Sequence, residues 1–324
     1  RALHSYSRMR GGRHGLSRLP FTMRSSLLRS LSSASRQQCR HWTGPFLFDR
    51  GPGKAPTSQP RELSTERRAH GGANGSNAVP NAAVLIIGNE VLSGKIQDVN
   101  TAWLAQQLTA VGTDLVRAET VMDDRDEIAE AIQRLCRRVG DEGFVFTSGG
   151  IGPTHDDITY ESVAAAFGRG VALHQPTVER MTAHYEAQGK EVNASRLRMA
   201  TLPEGCDVLW TPGLWVPMVK LRQVHILPGI PRLFKQMLAS NMDSFRGQLS
   251  GSRLVYTLQG EGDIAETITR IASAHPTVAI GSYPATTADA PYATKLTLDS
   301  RDLDALEHAF QAMIASVDVL HVKE

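Results

Sequence analysis

Residues 144–168 read Phe-Val-Phe-Thr-Ser-Gly-Gly-Ile-Gly-Pro-Thr-His-Asp-Asp-Ile-Thr-Tyr-Glu-Ser-Val-Ala-Ala-Ala-Phe-Gly, and this stretch decides the fold class. The apolar run at 144–146 has the composition of a buried strand, and glycines follow it at 149, 150 and 152. Two adjacent carboxylates, Asp156 and Asp157, then lead into an amphipathic helical pattern that begins near Thr159. Glycine lets the backbone approach an anion closely, and N–H groups at a helix start favour negative charge. Two carboxylates in one loop suit a hard divalent cation held against phosphate oxygens. Strand, glycine loop and helix in that order predict a phosphate- and metal-handling loop at the C-terminal edge of a parallel sheet.

The flanking sequence continues the same alternation. Residues 82–87 form a continuous apolar run, as a strand buried on both faces requires. Trp103, Leu104, Leu108 and Val111 share one stripe of a helix at 100–111, which Gly112 stops. A strand at 114–121 and a helix at 127–139 follow, with Asp123 or Asp124 available as the helix cap. Helical segments are expected at 176–186 and 195–200, and strands at 207–210, 217–221 and 224–227. The last of these runs into Pro228-Gly229-Ile230-Pro231, with Pro231 placed to start a helix through Met242. Repeated strand–helix units predict right-handed crossovers and a mostly parallel sheet, an α/β three-layer sandwich over 80–248. Beyond residue 252 the texture changes. Strands at 254–258, 278–280 and 294–298 with helices at 264–274 and 303–316 predict a small α+β domain over 252–324.

Charge is distributed unevenly. Residues 1–70 hold 14 Lys and Arg against 3 Asp and Glu, while the remainder holds 21 basic and 30 acidic residues. The positive charge thus sits on a tail, which argues against a nucleic-acid partner for the folded part. From Met23 to Arg36, arginines flank Leu27, Leu28 and Leu31, and no acid occurs before Asp49. That pattern predicts an organellar transit peptide within residues 1–78, mitochondrial ahead of plastid, with a plain basic tail on a cytoplasmic protein as the other reading. Cys39, Cys136 and Cys206 have no metal or redox spacing, as expected in a reducing compartment. No run approaches the roughly 18 apolar residues of a membrane span, so no membrane partner is expected.

Several local chemistries fail on spacing. The segment from Gly88 to Ile96 imitates a Walker A loop, but five residues separate Gly88 from Gly94 and Ile96 stands where Ser or Thr must bind metal. Ser148 lacks the Gly-x-Ser-x-Gly elbow of a nucleophile, and His155, His174, His184 and His225 show no zinc spacing. Glu90, Asp98 and Asn100 nevertheless cluster just after the first strand. Asp156 or Asp157 would also serve as a helix cap, although one cap does not need two carboxylates, Thr154, Thr159 and three glycines.

Thr147-Ser-Gly-Gly-Ile-Gly-Pro-Thr-His-Asp-Asp-Ile-Thr159 resembles the signature of the molybdopterin-binding (MoaB/MogA) fold. It is most similar to the version in CinA-type proteins and in the N-terminal domain of eukaryotic FAD synthase. Gly88 to Thr101 is similar to the family's first strand–loop–helix, and Leu227-Pro-Gly-Ile-Pro231 to its second turn. Gly281 to Pro284 and Lys295 to Leu298 resemble the small C-terminal domain, so the likeness runs over 82–324.

The resemblance implies a nucleotide or pterin ligand on the loop, held by Gly88, Asn89, Ser148, Gly149, Gly150, Gly152, Pro153, Thr154, Thr159, Pro228 and Gly229. It implies a divalent metal (Mg²⁺, Mn²⁺ or Co²⁺) near Asp156, Asp157, Glu90 and Asp98, with Asp156 and Asp157 catalytic, and a homo-oligomer. Pro-Thr-His-Asp-Asp replaces the Arg-Asp pair usual in molybdopterin adenylyltransferases, which favours the branch that splits FAD or ADP-ribose. Arg232 stands where relatives often carry an acid. No segment resembles an FAD-synthesising or CinA amidase domain. The expected activity is therefore metal-dependent hydrolysis of nucleotide pyrophosphates, with molybdopterin adenylylation or non-catalytic flavin or pterin carriage as alternatives.

Overall fold

The computed structural model describes residues 79–287 and 289–323, and the transit-peptide reading of 1–78 lies outside them. In chain order the first elements are β1 (Asn81–Ile87), α1 (Asn89–Leu92), α2 (Asn100–Ala110), β2 (Asp114–Val121), α3 (Arg125–Val139), β3 (Phe144–Ser148) and α4 (Thr159–Ala166). Next come β4 (Val171–Leu173), α5 (Gln175–Glu186), α6 (Ala194–Arg198), β5 (Thr201–Pro203), β6 (Asp207–Leu209), β7 (Met218–Leu221) and β8 (Val224–Leu227). After these follow α7 (Pro231–Ala239) and a 3₁₀ turn at Met242–Phe245. The remainder is β9 (Gly251–Thr257), α8 (Glu261–Ala274), β10 (Ala279–Pro284), β11 (Thr294–Ser300), α9 (Leu303–Ile314) and β12 (Val319–Lys323).

The main sheet has the order β2-β1-β3-β8-β7-β6. Its β2-β1-β3-β8 portion is parallel, and β7 and β6 extend it antiparallel. Residues 82–87 of β1 are all buried because helices cover the sheet on both sides, α2 with α7 and α3 with α4. This is the three-layer α/β sandwich. The best-formed helix shows why: Asp124 accepts hydrogen bonds from the Asp126 and Glu127 N–H groups at 3.0 Å and caps α3. Ile128, Ala131, Ile132, Leu135 and Val139 then repeat at helical spacing and are buried against the sheet. Each fully buried Ile or Leu among them contributes about 1.5–3 kcal/mol.

The C-terminal sheet is antiparallel, order β10-β11-β9-β12, with α8 and α9 packed against it. Val255, Leu296, Leu298, Ile264, Phe310 and Met313 form its core. Arg301 ties the two sheets together. Its guanidinium donates to both Asp114 carboxylate oxygens at 2.9 and 3.0 Å and to the Gln248 carbonyl at 2.8 Å. Among the described residues no helix is long and apolar enough to cross a membrane.

Some elements differ from the sequence expectation. The segment expected as helix at 195–200 is helical only from Ala194 to Arg198, because Thr201–Pro203 leaves to pair antiparallel with Val171–Leu173. The helix at Pro231 ends at Ala239, short of Met242, which begins the 3₁₀ turn instead. β12 was not expected: all five of its residues are exposed, so it lacks the alternation that marks a half-buried strand.

His225 is 3% exposed in β8, ringed by Phe144, Phe146 and Phe245 at centroid distances of 6.0, 5.4 and 5.0 Å. Burial pushes its pKa down to about 4, and Lys220 adds to the shift. A depressed histidine keeps native stability above its unfolded pKa near 6.5 and loses it as pH falls toward 4. Between pH 7.5 and 4.5 this group alone should remove about 2–3 kcal/mol. Denaturant melts at both pH values check it. His225→Phe should lose less stability over that interval than wild type, and an equal loss would refute the assignment.

Candidate functional site

Strand register builds the site. Ile86 pairs with Ser148, and Ser148 pairs with Leu227, so β1, β3 and β8 end side by side. The turns that follow them, beginning at Gly88, Gly149 and Pro228, therefore share one edge, the C-terminal edge of the parallel strands. A cavity of about 600 Å³ opens there. Glu90, Asp98, Ser148, Gly149, Gly150, Gly152, Pro153, Asp157, Pro228 and Gly229 all line it.

The glycines at 149 and 150 are required by geometry. Both have positive φ, +115° and +66°. A Cβ on Gly149 would collide with the Ile87 carbonyl oxygen, and one on Gly150 with Thr159 Oγ1. Thr159, fully buried, staples this turn: its hydroxyl donates to the Gly149 carbonyl and its N–H to the Gly150 carbonyl, each at 2.9 Å. The N–H groups of Gly150, Ile151 and Gly152 bond to no backbone carbonyl among the described residues. All three residues line the cavity, where consecutive unpaired donors suit an anion.

Asn100 joins two of the turns. It is 4% exposed, and its Nδ2 donates to Ser148 Oγ and to the Gly229 carbonyl, both at 3.0 Å. The carbonyl fixes the amide orientation, so Ser148 Oγ accepts from Asn100 and keeps its own proton for another acceptor.

The carboxylates are arranged differently from the sequence expectation. Neither Asp156 nor Asp157 caps α4, whose N-cap is Ile158 with no side-chain bond. Both instead close on Thr154, whose Oγ1 lies 2.5 Å from Asp156 Oδ1 and from Asp157 Oδ2. The Thr154 N–H donates to Asp157 Oδ2 at 2.8 Å. Asp157 lines the cavity and Asp156 does not. Asp98 is occupied at the start of α2, where its Oδ1 accepts from the N–H groups of Asn100 at 2.9 Å and Thr101 at 3.1 Å. Gly88 and Asn89 lie behind the wall: Gly88 N–H continues the ladder to the Val121 carbonyl, and Asn89 N–H donates to Asp123 Oδ2 at 2.8 Å. Thr154 and Thr159 likewise act on the loop and not on the cavity.

Two electrostatic signatures mark the edge. Burial holds the Asp123 carboxyl above the usual carboxylate range, and Glu90, Asp156 and Asp157 push it further. The Thr154 hydrogen bond holds Asp156 below that range, helped by His155 and Arg198. The expected four-carboxylate metal site is not assembled, however. Among the described residues no three His, Cys, Asp or Glu converge as metal ligands. The acids that line the cavity, Glu90, Asp98 and Asp157, offer only oxygen. That donor set fits a hard cation shared with a ligand's phosphate oxygens, and not a cage built from protein alone.

Sequence reasoning missed four participants. Asp123 enters because Val121 pairs with Ile87, which sets the turn after β2 beside the turn after β1. Tyr185 and Trp215, with Met199, form an apolar wall of the same cavity, and no motif announced them.

The family model described as "Probable molybdopterin binding domain" matches residues 83–244, half of the chain, and one described as "FAD synthase, middle domain" matches 251–323. A protein from Aeropyrum pernix is 38% identical over 162 residues, which cover 49% of this chain and 59% of that protein. A "CinA-like protein" from Gemmatimonas aurantiaca is 35% identical over 165 residues, 49% of this chain and 38% of its own length. A protein from Pyrococcus horikoshii is 37% identical over 173 residues, 50% of this chain and 67% of that protein. The chain thus spans only part of these relatives. A crystal structure titled as the protein CinA, of unknown function, from Thermoplasma acidophilum is 31% identical, with a TM-score of 0.46 over 51% of this chain and 99% of that one. The glycine turn after β3, its partner turn after β8 and the family match over residues 83–244 agree, and the chain belongs to the molybdopterin-binding domain family.

Proposed function

We propose that the cavity binds a nucleotide pyrophosphate, FAD or ADP-ribose, and splits its P–O–P link with water. One observation carries this reading: a single cavity is lined by three residues whose N–H groups have no backbone partner, by three carboxylates and by apolar and aromatic side chains. A phosphate needs the first, a phosphate-bound cation the second, and a base or flavin ring the third. The Gly150, Ile151 and Gly152 N–H groups and the Ser148 hydroxyl would hold diphosphate oxygens. Glu90 and Asp157 would hold the cation, with Asp98 placed by its bonds to the start of α2. A bound Mg²⁺, Mn²⁺ or Co²⁺ would neutralise the diphosphate and lower the pKa of a water. Thr154 occupies Asp157 Oδ2, which leaves Oδ1 free to orient that water. Addition of water across the link gives two phosphate monoesters, FMN and AMP from FAD, or AMP and ribose phosphate from ADP-ribose.

The test is incubation of the purified chain with FAD or ADP-ribose and each cation. Metal-dependent appearance of AMP is expected and should stop with EDTA. Tight binding without product under all three cations would overturn hydrolysis in favour of a carrier. The family description names molybdopterin as a ligand, and a second reading is that such a pterin is adenylylated here by ATP. Transfer of AMP from ATP to molybdopterin would establish that reading.

A further inference from the structure

Trp215 lies in the connection between β6 and β7, half-buried, and lines the cavity. It is braced by two neighbouring rings. Tyr185 stands 5.9 Å from it at an interplanar angle of 55°, and His184 stands 5.9 Å from it at 35°. Tyr185 is itself covered by the Arg196 guanidinium, 4.2 Å from its ring centroid. Met199, 8% exposed, belongs to the small apolar cluster against which both Tyr185 and Trp215 pack. Such bracing costs nothing further on ligand binding, because the rings are already held in place. A partly exposed tryptophan face in a concave site keeps apolar area wet until a flat partner covers it.

We infer that Trp215, with Tyr185 and Met199, is the ring-binding subsite of the cavity, which takes the planar heteroaromatic ring of a ligand whose phosphate sits on the glycine loop. This rests on the phosphate reading of residues 149–154 proposed above. Polar and apolar halves of one cavity then divide the ligand between them. The Gly150–Gly152 donors hold charge, and the aromatic wall supplies affinity that any flat ring can use. The shared chemistry is a phosphorylated flat ring, and AMP and FMN distinguish adenine from isoalloxazine.

The experiment is calorimetric titration of the full chain with AMP, FMN and ribose 5-phosphate, which carries a phosphate and no aromatic ring. AMP or FMN should bind roughly 10- to 100-fold more tightly than ribose 5-phosphate. Trp215→Leu should remove most of that advantage and leave ribose 5-phosphate binding unchanged, whereas Trp215→Phe should retain it. FMN should darken on binding wild type through stacking and stay bright with Trp215→Leu, while unchanged ribose 5-phosphate affinity shows that the variant is folded. A thermal melt of each variant accompanies the titrations. Equal loss for all three ligands, or no loss for any, would overturn the subsite while leaving the phosphate site standing. If none of the three binds the wild-type chain, the phosphate reading fails and the subsite fails with it.

Discussion

Asp157→Asn should leave the fold intact and reduce turnover of FAD or ADP-ribose by roughly 100-fold or more. The fold should survive because Asp157 Oδ2 accepts from the Thr154 N–H, while the single proton of the Thr154 hydroxyl is shared with Asp156. An amide oxygen can accept in the same place, though more weakly than a carboxylate. The substitution also removes one negative charge from the group that pushes Asp123 up, so stability should stay level or rise slightly. What the amide cannot replace is the carboxylate's charge on a hard cation. Asp156→Asn supplies the internal comparison, since Asp156 shares the Thr154 contact and does not reach the cavity. It should lower turnover far less. Rates and thermal melts for both variants decide the matter. Full activity in Asp157→Asn would show that its carboxylate carries no chemistry, and equal losses in the two would show that the loop, and not the charge, is at stake.

The parts of this molecule that were legible in the sequence are those whose physics is local. β1 and β3 read as strands because burial on both faces demands unbroken apolar runs. The turn after β3 was legible because Gly149 and Gly150 fill backbone positions that reject a Cβ. Strand orientation at the far edge was not legible: β6 and β7 are three and four residues long, and nothing in such short runs specifies antiparallel pairing. The site residues divide the same way. Ser148 ends β3, Gly149, Gly150, Gly152 and Asp157 follow it in one stretch, and all five reach one cavity. Asp123 is 34 residues from Asn89, and only the β1–β2 register brings them together. Asp98 looked like a ligand because a carboxylate near a strand end suits a metal, yet the same side chain suits the open N–H groups of α2. The chain gives no local means of choosing between those two uses. Trp215 shows the converse case, because its place in the cavity depends on α5 and α6, whose helices bring Tyr185 and Met199 beside it.

The buried amide of Asn100 offers the sharpest test of how the two glycine turns are held. Asn100→Asp changes one NH₂ to an oxygen with almost no change in shape. In the native chain Nδ2 bridges Ser148 Oγ and the Gly229 carbonyl, joining residues 48 and 129 positions away. An oxygen in its place faces the carbonyl as acceptor against acceptor, and the new negative charge is buried. The expected cost is about 3 kcal/mol, or roughly 6–12 °C in Tm for a folded part of this size. Both the burial and the facing carbonyl disfavour the ionised form, so the introduced carboxyl should titrate above the usual range in the folded state. A group with a raised folded pKa is most favourable below its unfolded pKa and loses that advantage as pH rises through the folded value. The deficit of the variant against wild type should accordingly shrink as pH falls toward 4, where the protonated acid can again donate to Gly229. His225 and every other shared group cancel in that difference. Phosphate binding should weaken as well, because the Ser148 proton turns toward the new carboxylate and the added charge repels an anion. Melts of both chains from pH 8 to 4, with AMP titration at each end, provide the measurement. A deficit independent of pH would mean that position 100 is not the closed, hydrogen-bonded bridge between β3 and β8 that its contacts describe.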